Sequence, residues 1–124
     1  MKTALTYDDV LLVPRYSDIE SRSEIVLDSD LDNRRTLTLP IISSPMDTVT
    51  GDVMASTMAL SGGLGIIHRY NTPDEQATIL AISKRIANTI RGKDANLIGA
   101  AIGVSGDYLD RARKLVKAGA DIIC

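Results

Sequence analysis

The sequence has 124 residues, of which 44% are hydrophobic and 24% are charged, as is usual for a globular domain. The formal net charge of −2 provides no attraction to nucleic acid or to an anionic membrane, and no run of about 18 apolar residues predicts a membrane span. The single cysteine, Cys124, excludes an internal disulfide, so we expect a reducing, cytoplasmic compartment.

Residues 1–38 show no strong hydrophobic period. Short extended pieces are predicted at 10–13 and 24–27, because turn-forming residues such as Pro14, Ser17 and Asp28 interrupt the apolar ones. This pattern predicts an amino-terminal arm, residues 1–38, that packs on the following domain and does not form a domain of its own.

The segment 39–71 has the pattern of a strand, a polar turn, a helix and a second strand. The apolar runs at 41–43 and 64–67 are typical of strands covered on both faces. A helix over about 52–61 separates them, and Gly62 and Gly63 end it. Such a βαβ unit predicts a parallel sheet. The helix residues expected to pack against that sheet are Val53, Met54, Thr57, Met58 and Leu60.

The second predicted helix has a clear start signal. Thr72 is placed to cap it, Pro73 occupies the first helical position, and Glu75 completes a capping box. Gly92 is placed to end the helix. The apolar residues at helical spacing, which predict its inner face, are Ile79, Ile82, Ile86 and Ile90.

A third strand is predicted at 97–104, a third helix at about 107–118 with Gly119 after it, and a fourth strand at 121–123. The residues expected on the inner face of this helix are Tyr108, Leu109, Ala112, Leu115 and Val116. Its basic residues, which are expected to form a solvated face, are Arg111, Arg113, Lys114 and Lys117. Because parallel crossovers share one handedness, these units predict a sheet that curls into a barrel wall.

Polar residues follow the first two predicted strands where each strand ends. Ser44, Met46 and Asp47 come after the strand at 41–43, and His68 and Arg69 come after the strand at 64–67. In parallel α/β folds, ligands bind at the carboxyl ends of the strands. The sequence therefore predicts a ligand site at this edge of the sheet.

Five motifs occur in order along the chain. They read LTYDDVLLVP at 5–14, SRSE at 21–24, SSPMDTVT at 43–50, GIIHR at 65–69 and GAAIGV at 99–104. Together they resemble the amino-terminal part of the catalytic domain of the IMP dehydrogenase/GMP reductase family. The resemblance implies a (β/α)8 TIM barrel, which takes about 250 residues. It therefore implies that residues 39–124 form the first half of such a barrel, about three βα units plus a fourth strand.

The resemblance also implies a chemistry. In this family a cysteine thiolate bonds to the purine C2, and IMP is oxidised with NAD or GMP is reductively deaminated with NADPH. The nucleophile, the loop that binds a monovalent cation and the phosphate grip are all expected beyond position 124. Cys124 lies in an apolar strand and is expected to be buried and structural. The chain alone is therefore expected to be inactive, to need the complementary carboxyl-terminal half, and to form a homo-tetramer when complete.

The resemblance implies a substrate role for Ser44, Met46 and Asp47. A hydroxyl can bond ribose or phosphate, and a thioether suits a purine face. Two alternatives stay open. In the first, residues 43–45 only form a turn with a self-bonding hydroxyl. In the second, Asp47 only caps the following helix.

On the cofactor side, the resemblance implies that Ser21, Arg22 and Arg69 contact the dinucleotide. Arginine forms bidentate bonds to phosphate, although a surface ion pair is the alternative for both arginines. His68 is expected to be a hydrogen-bonded structural histidine, because the chain has no second histidine to form a metal site.

Three functions are compatible with these residues. The motif at 43–50 favours an IMP dehydrogenase. The regulatory CBS repeats that most such enzymes insert between 71 and 96 are not present in the sequence, so no regulation through them is expected. Their absence and Cys124 at the end of the fourth strand favour a GMP reductase. The third possibility is a non-catalytic half-barrel that binds a nucleotide or acts as a scaffold.

Overall fold

The computed structural model describes residues 3–91 and 96–124. Within them, β1 (Ser29–Asp32) and β2 (Arg35–Leu37) form an antiparallel hairpin. A second sheet has four parallel strands in the order β3-β4-β5-β6. These strands are β3 (Ile42–Ser43), β4 (Leu64–Ile67), β5 (Ile98–Ala100) and β6 (Ile122–Ile123). The helices that connect them are α1 (Asp52–Leu60), α2 (Pro73–Arg91) and α3 (Tyr108–Ala118).

The parallel sheet confirms the predicted fold class, and it has the architecture of half a TIM barrel. Each strand pairs with the next strand along the chain, as in the register Ser43↔Gly65, Ile67↔Ala100 and Ala100↔Ile123. The third strand is shorter than the predicted 97–104. It cannot continue beyond residue 102, because Gly103 has a φ of +71°, outside the range of a β-strand.

Helix α1 lies close to β4. A Cβ atom on Gly65 would come within 2.6 Å of the Ala55 Cα, so the backbones of helix and strand approach too closely for a larger residue. The buried face of α1 therefore carries the small residues Ala55, Ser56 and Ala59. The predicted inner face is wrong: Val53 is 71% exposed, and Met54 and Thr57 are also exposed. Only Met58 and Leu60 of that prediction are half-buried.

Helix α2 begins as predicted. The Thr72 amide donates to Glu75 Oε2 at 2.8 Å, and the Glu75 amide donates to Thr72 Oγ1 at 3.3 Å. The fully buried stripe, however, consists of Gln76, Leu80, Ser83 and Ala87. The predicted isoleucines at 79, 82 and 86 flank this stripe and are half-buried, whereas Ile90 is exposed. The predicted end at Gly92 lies outside the described residues.

Helix α3 ends at Gly119, whose φ of +96° confirms the predicted glycine stop. Its inner face differs from the prediction. Leu115 is buried, but Leu109 and Val116 are exposed. Arg111 was expected on the solvated face and is instead only 6% exposed. The reason is that its guanidinium bonds Asn71 and Gln76, which are distant in the sequence.

The amino-terminal segment differs from the rest of the chain, because residues 3–30 are exposed throughout. It contains 3-10 turns at Tyr7–Asp9 and Arg22–Glu24. The hairpin of β1 and β2 was not predicted. Its turn is stabilised by the Asp32 carboxylate, which accepts from the Arg34 amide at 2.8 Å. That residues 1–38 pack on the barrel remains a prediction.

Cys124 is exposed, which corrects the prediction of a buried cysteine. Its backbone continues the ladder, since its amide donates to the Ala100 carbonyl at 3.1 Å and its carbonyl accepts from the Ile102 amide at 2.8 Å. The apolar neighbours Ile122 and Ile123 are only half-buried themselves.

Candidate functional site

The turn after β3 is stabilised by its own backbone and presents Met46. The Met46 amide donates to the Ser44 carbonyl at 2.8 Å, and the amides of Val49 and Thr50 donate to the Met46 carbonyl at 3.0 and 2.9 Å. These bonds close a tight turn directly at the carboxyl end of β3. The Met46 side chain is 51% exposed there. A thioether in this position offers a polarizable surface to a flat ligand.

Thr50 anchors this turn, and the sequence pattern alone did not single it out. Its side chain is fully buried, and its hydroxyl lies 3.0 Å from Ser43 Oγ and 2.5 Å from the Ser44 carbonyl oxygen. Its own carbonyl accepts from the His68 amide at 3.4 Å. Thr50 therefore joins the turn after β3 to the loop after β4. The signal that could have found it is a threonine between an apolar strand and the start of a helix. A hydroxyl buried at such a place needs a hydrogen-bond partner.

The local contacts of Asp47 and Ser44 bear on the alternatives of helix capping and turn formation. The Asp47 carboxylate accepts from the Thr48 amide at 2.9 Å, whereas the N-cap of α1 is Gly51, which has no side-chain cap. That Asp47 only caps the helix is therefore wrong. Among the described residues, no hydrogen bond uses the Ser44 hydroxyl, so a self-bonding hydroxyl does not form the turn. Both side chains are exposed at the rim.

Arg69 lies in the loop after β4 and packs over the loop after β5. A Cβ atom on Gly103 would lie 3.1 Å from the Arg69 Cζ, so the guanidinium rests on the Gly103 backbone. The Arg69 side chain is exposed on its other side. An exposed guanidinium at the carboxyl end of a parallel sheet is suited to a phosphate.

His68 is half-buried, and its Nδ1 accepts from the Tyr70 amide at 3.2 Å, as expected for a hydrogen-bonded structural histidine. The rings of His68 and Tyr70 stack with their centroids 6.2 Å apart. In the described part of the chain, no three His, Cys, Asp or Glu side chains cluster so that they could bind a metal ion. None of the described helices is both long enough and apolar enough to cross a membrane.

A buried polar network lies directly beneath the rim. The amide nitrogen of Gln76 donates to the carbonyls of Ile67 at 3.2 Å and Ala101 at 2.9 Å. The Gln76 carbonyl oxygen accepts from Arg111 Nη1 at 2.8 Å. Arg111 also pairs with Asp107 at 2.9 Å. The hydrogen bond from Arg111 is the main reason why the pKa of the Asp107 carboxyl is lowered, and the charge of Arg69 lowers it further.

The predicted site residues fall into two groups. Ser44, Met46, Asp47 and Arg69 all follow the carboxyl ends of neighbouring parallel strands, at one edge of the sheet. Ser21 and Arg22 belong to the 3-10 turn Arg22–Glu24. The described hydrogen bonds of Ser21 are local, to Glu24 and Ser23. No described hydrogen bond joins this second group to the rim, so only the first group is shown at a common edge.

Fold and rim together define a class of protein. A parallel α/β sheet with polar loops at the carboxyl ends of its strands is the architecture of barrel enzymes that act on small molecules. The sequence family described as IMP dehydrogenase / GMP reductase domain matches residues 4–124. The chain therefore belongs to this family, as its motifs predicted.

Individual relatives include both kinds of enzyme. The chain is 52% identical over 84 residues to an inosine-5'-monophosphate dehydrogenase of Nitrosopumilus maritimus, which covers 68% of this chain and 18% of the relative. It is 41% identical over 109 residues to the inosine-5'-monophosphate dehydrogenase of Rhodopirellula baltica, which covers 87% of this chain and 20% of the relative. A GMP reductase of Leishmania donovani is 44% identical to the chain over 81 residues, which cover 65% of this chain and 16% of the relative. The chain thus spans a fifth or less of the length of these relatives.

Proposed function

We propose that this chain supplies the first half of the catalytic barrel of an IMP dehydrogenase, which oxidises IMP to XMP with NAD. The observation that carries the proposal is the turn after β3. Its motif at 43–50 matches the dehydrogenase branch, and its exposed Met46 is fixed in place by the buried Thr50. The dehydrogenase relatives support the same assignment.

In this proposal the rim after β3 binds the purine nucleotide. Met46 places its thioether against the purine face, and the Ser44 hydroxyl bonds ribose or phosphate. Asp47 keeps an exposed carboxylate in the same turn and orients the ligand or a neighbouring loop. The support is local geometry: all three side chains are exposed and the backbone beneath them is hydrogen-bonded.

The dinucleotide contacts Arg69 together with Ser21 and Arg22. When bound, NAD accepts the hydride that the purine loses. The exposed Arg69 guanidinium fits a diphosphate, because it offers a planar fork of donors. Ser21 and Arg22 reach the same ligand only when the amino-terminal segment lies across the rim of the complete barrel.

The covalent step needs a cysteine that this chain does not supply. Cys124, its single cysteine, comes directly after β6, whereas the family resemblance implies a nucleophile on a loop later in the barrel. We infer that the chain alone is inactive and that the carboxyl-terminal half of the barrel pairs with the exposed edges of the sheet at β3 and β6. The assembled protein is then a cytoplasmic homo-tetramer.

A GMP reductase that uses NADPH is the second candidate. It is favoured by the Leishmania relative and by the sequence between 71 and 96, which contains no regulatory repeats. A non-catalytic half-barrel is a third outcome, and it would show itself as nucleotide binding without turnover.

Two chimaeric enzymes test these candidates. In one, this chain replaces the matching segment of the Nitrosopumilus maritimus dehydrogenase, and turnover is measured with IMP and NAD. In the other, it replaces the matching segment of the Leishmania donovani reductase, and turnover is measured with GMP and NADPH. We expect the first chimaera to retain kcat/KM within about tenfold of its parent and the second to lose more.

Turnover by the reductase chimaera alone would show that the chain derives from a reductase. If both chimaeras fold and bind nucleotide without turnover, the chain is non-catalytic. The isolated 124-residue chain should reduce no NAD, and turnover by it would contradict the proposal.

Two substitutions and one control in the active chimaera test the roles of Met46 and Cys124. Met46→Ala should raise the KM for the nucleotide, whereas Met54→Ala, which changes an exposed methionine of α1, is the matched control. Cys124→Ser should leave the covalent intermediate intact, as seen by mass spectrometry of the trapped enzyme. Loss of that intermediate would assign the nucleophile to Cys124 after all.

A further inference from the structure

We propose that Arg111 is a positioning residue of the rim: its buried guanidinium fixes the loop after β4 against the loop after β5 and so determines where Arg69 stands. The inference rests on the proposed function, in which Arg69 contacts the dinucleotide. It goes beyond that function, because Arg111 is buried beneath the rim, where its described hydrogen bonds go to Asn71, Gln76 and Asp107.

The guanidinium of Arg111 has all of its nitrogens in use. It carries five N–H groups. Nε and Nη2 pair with the two oxygens of Asp107 at 3.4 and 2.9 Å. Nη1 donates to Gln76 Oε1 at 2.8 Å and to Asn71 Oδ1 at 3.4 Å, and Nη2 also donates to the Asn71 carbonyl at 2.8 Å. Bonds from a planar fork fix the orientation of each partner, which a point charge would not do.

These partners come from both rim loops. Asn71 lies in the loop after β4, and Asp107 ends the loop after β5. Gln76 joins the network to the sheet, because its amide nitrogen donates to Ile67 at the end of β4 and to Ala101 after β5. The Gln76 amide can take only this orientation, since its oxygen must accept from Arg111 and its nitrogen must face two carbonyls. The network therefore connects two strand ends with the two loops that extend from them.

Arg69 stands on the loop that this network fixes. Its guanidinium rests on the Gly103 backbone, where a Cβ atom would lie 3.1 Å from its Cζ. Gly103 and Asp107 belong to the same short loop, and Asp107 lies near enough to Arg69 to feel its charge. A shift of the loop after β5 would move the surface on which Arg69 packs.

Stability alone does not explain an arginine here. A buried ion pair can often be replaced by apolar residues of similar volume at little or no cost in stability. The side chain of Arg111 is 7% exposed, whereas that of its partner Asp107 is 47% exposed. What the arginine adds is a fixed geometry between two loops, which an apolar residue would not provide.

The experiment is a double-mutant cycle in the dehydrogenase chimaera with Arg69→Ala, Arg111→Lys and both together. Lysine keeps the charge of Arg111 and loses the fork. We expect each single change to raise the KM for NAD about tenfold with little effect on kcat. The double variant should show no further increase, because Arg111 acts through Arg69. Arg113→Lys, at an exposed arginine of the same helix outside the network, is the control and should change neither constant.

A second measurement does not depend on turnover. In the 124-residue chain, Arg111→Lys should speed amide hydrogen exchange in residues 68–72 and 101–107 and leave β4 and α1 protected. The inference is overturned if the KM effects of the two changes multiply, if Arg111→Lys lowers only the melting temperature, or if exchange rises evenly along the chain. An inactive parent chimaera would refute the proposed function, and the exchange result would still decide the role of Arg111.

Discussion

The two ends of the parallel sheet each contain a partly buried cation, but the two cations have different partners. At the carboxyl end, Arg111 binds Asn71 and Asp107, which belong to the two rim loops, and Gln76 of α2. At the amino end, Lys84 binds the Asn96 carbonyl and the Asp121 carboxylate, and the same carboxylate accepts from the Ile98 amide at 2.7 Å. The amino-end cluster therefore fixes the starts of β5 and β6, whereas the carboxyl-end cluster fixes the loops after β4 and β5.

This difference separates stability from function within one sheet. In barrels of this kind the amino-terminal face supports the fold, and the carboxyl-terminal face carries the chemistry. Changes at the Lys84 cluster should therefore lower the free energy of unfolding and leave ligand constants unchanged. Changes beneath the rim should affect both. The first two of the following three predictions test this distinction.

The largest effect is expected at the amino end. Asp121→Ala removes the partner of Lys84, whose side chain is only 15% exposed, and leaves the Ile98 amide without its acceptor. Breaking such a pair should cost about 3 kcal/mol of unfolding free energy, measured by urea denaturation. The control is Asp110→Ala, which breaks an exposed pair with Lys114 and should have a much smaller cost, because solvent screens that pair. A changed KM in the Asp121→Ala chimaera would contradict the division between the two ends.

A smaller effect is expected beneath the rim at Thr50. Thr50→Val keeps the shape and removes the hydroxyl that bonds Ser43 and the Ser44 carbonyl. It should cost about 1–3 kcal/mol, since a buried acceptor loses its donor. Unlike Asp121→Ala, it should also raise the KM for IMP in the chimaera, because the turn that presents Met46 loosens. Thr48→Val, at an exposed position of the same turn, should change neither quantity.

The smallest effect is expected at the start of α2. Hydrogen bonds from the Thr72 amide and then from its hydroxyl lower the pKa of the Glu75 carboxyl below its usual value of 4.5. A lowered pKa in the folded state means that this contribution to stability is present above pH 4.5 and is lost as the pH falls through the folded-state pKa. Urea denaturation from acid to neutral pH gives the free energy of unfolding as a function of pH. In Glu75→Gln this free energy should decline less at the acid end than it does in the unchanged chain. An unchanged decline would mean that the ionised carboxylate of Glu75 does not contribute to stability.

The sequence predicted the parts of this fold that depend on local signals. The capping box at Thr72, the glycine stop at Gly119 and the order of parallel strands were all confirmed. The family motifs likewise led to the correct family. These features depend on neighbouring residues or on continuous apolar runs, which a single sequence contains in full.

The inner faces of the helices were not predicted, because they depend on distant partners. Periodicity selected the large apolar residues of α1, but the close approach of Gly65 requires a small residue at position 55. Arg111 seemed a solvent-facing residue, because its partner Gln76 lies on another helix and Asn71 in another loop. Thr50 was missed because its hydroxyl bonds Ser43 and the Ser44 carbonyl within one turn, which no hydrophobic period indicates. At the rim the positions of Ser44 and Met46 could be inferred from strand ends alone, whereas the network that supports them could not.

The strand order has a consequence for the synthesis of the chain. Ile42 pairs with Leu64, Gly65 with Ile98 and Gly99 with Ile122, so every strand joins the strand that preceded it from the ribosome. Strands that are so close in the sequence pair at a low entropic cost of loop closure. At about 5–20 residues per second, each βα unit has seconds to dock before the next one emerges. We therefore expect this sheet to assemble during translation, one strand at a time from its amino-terminal side.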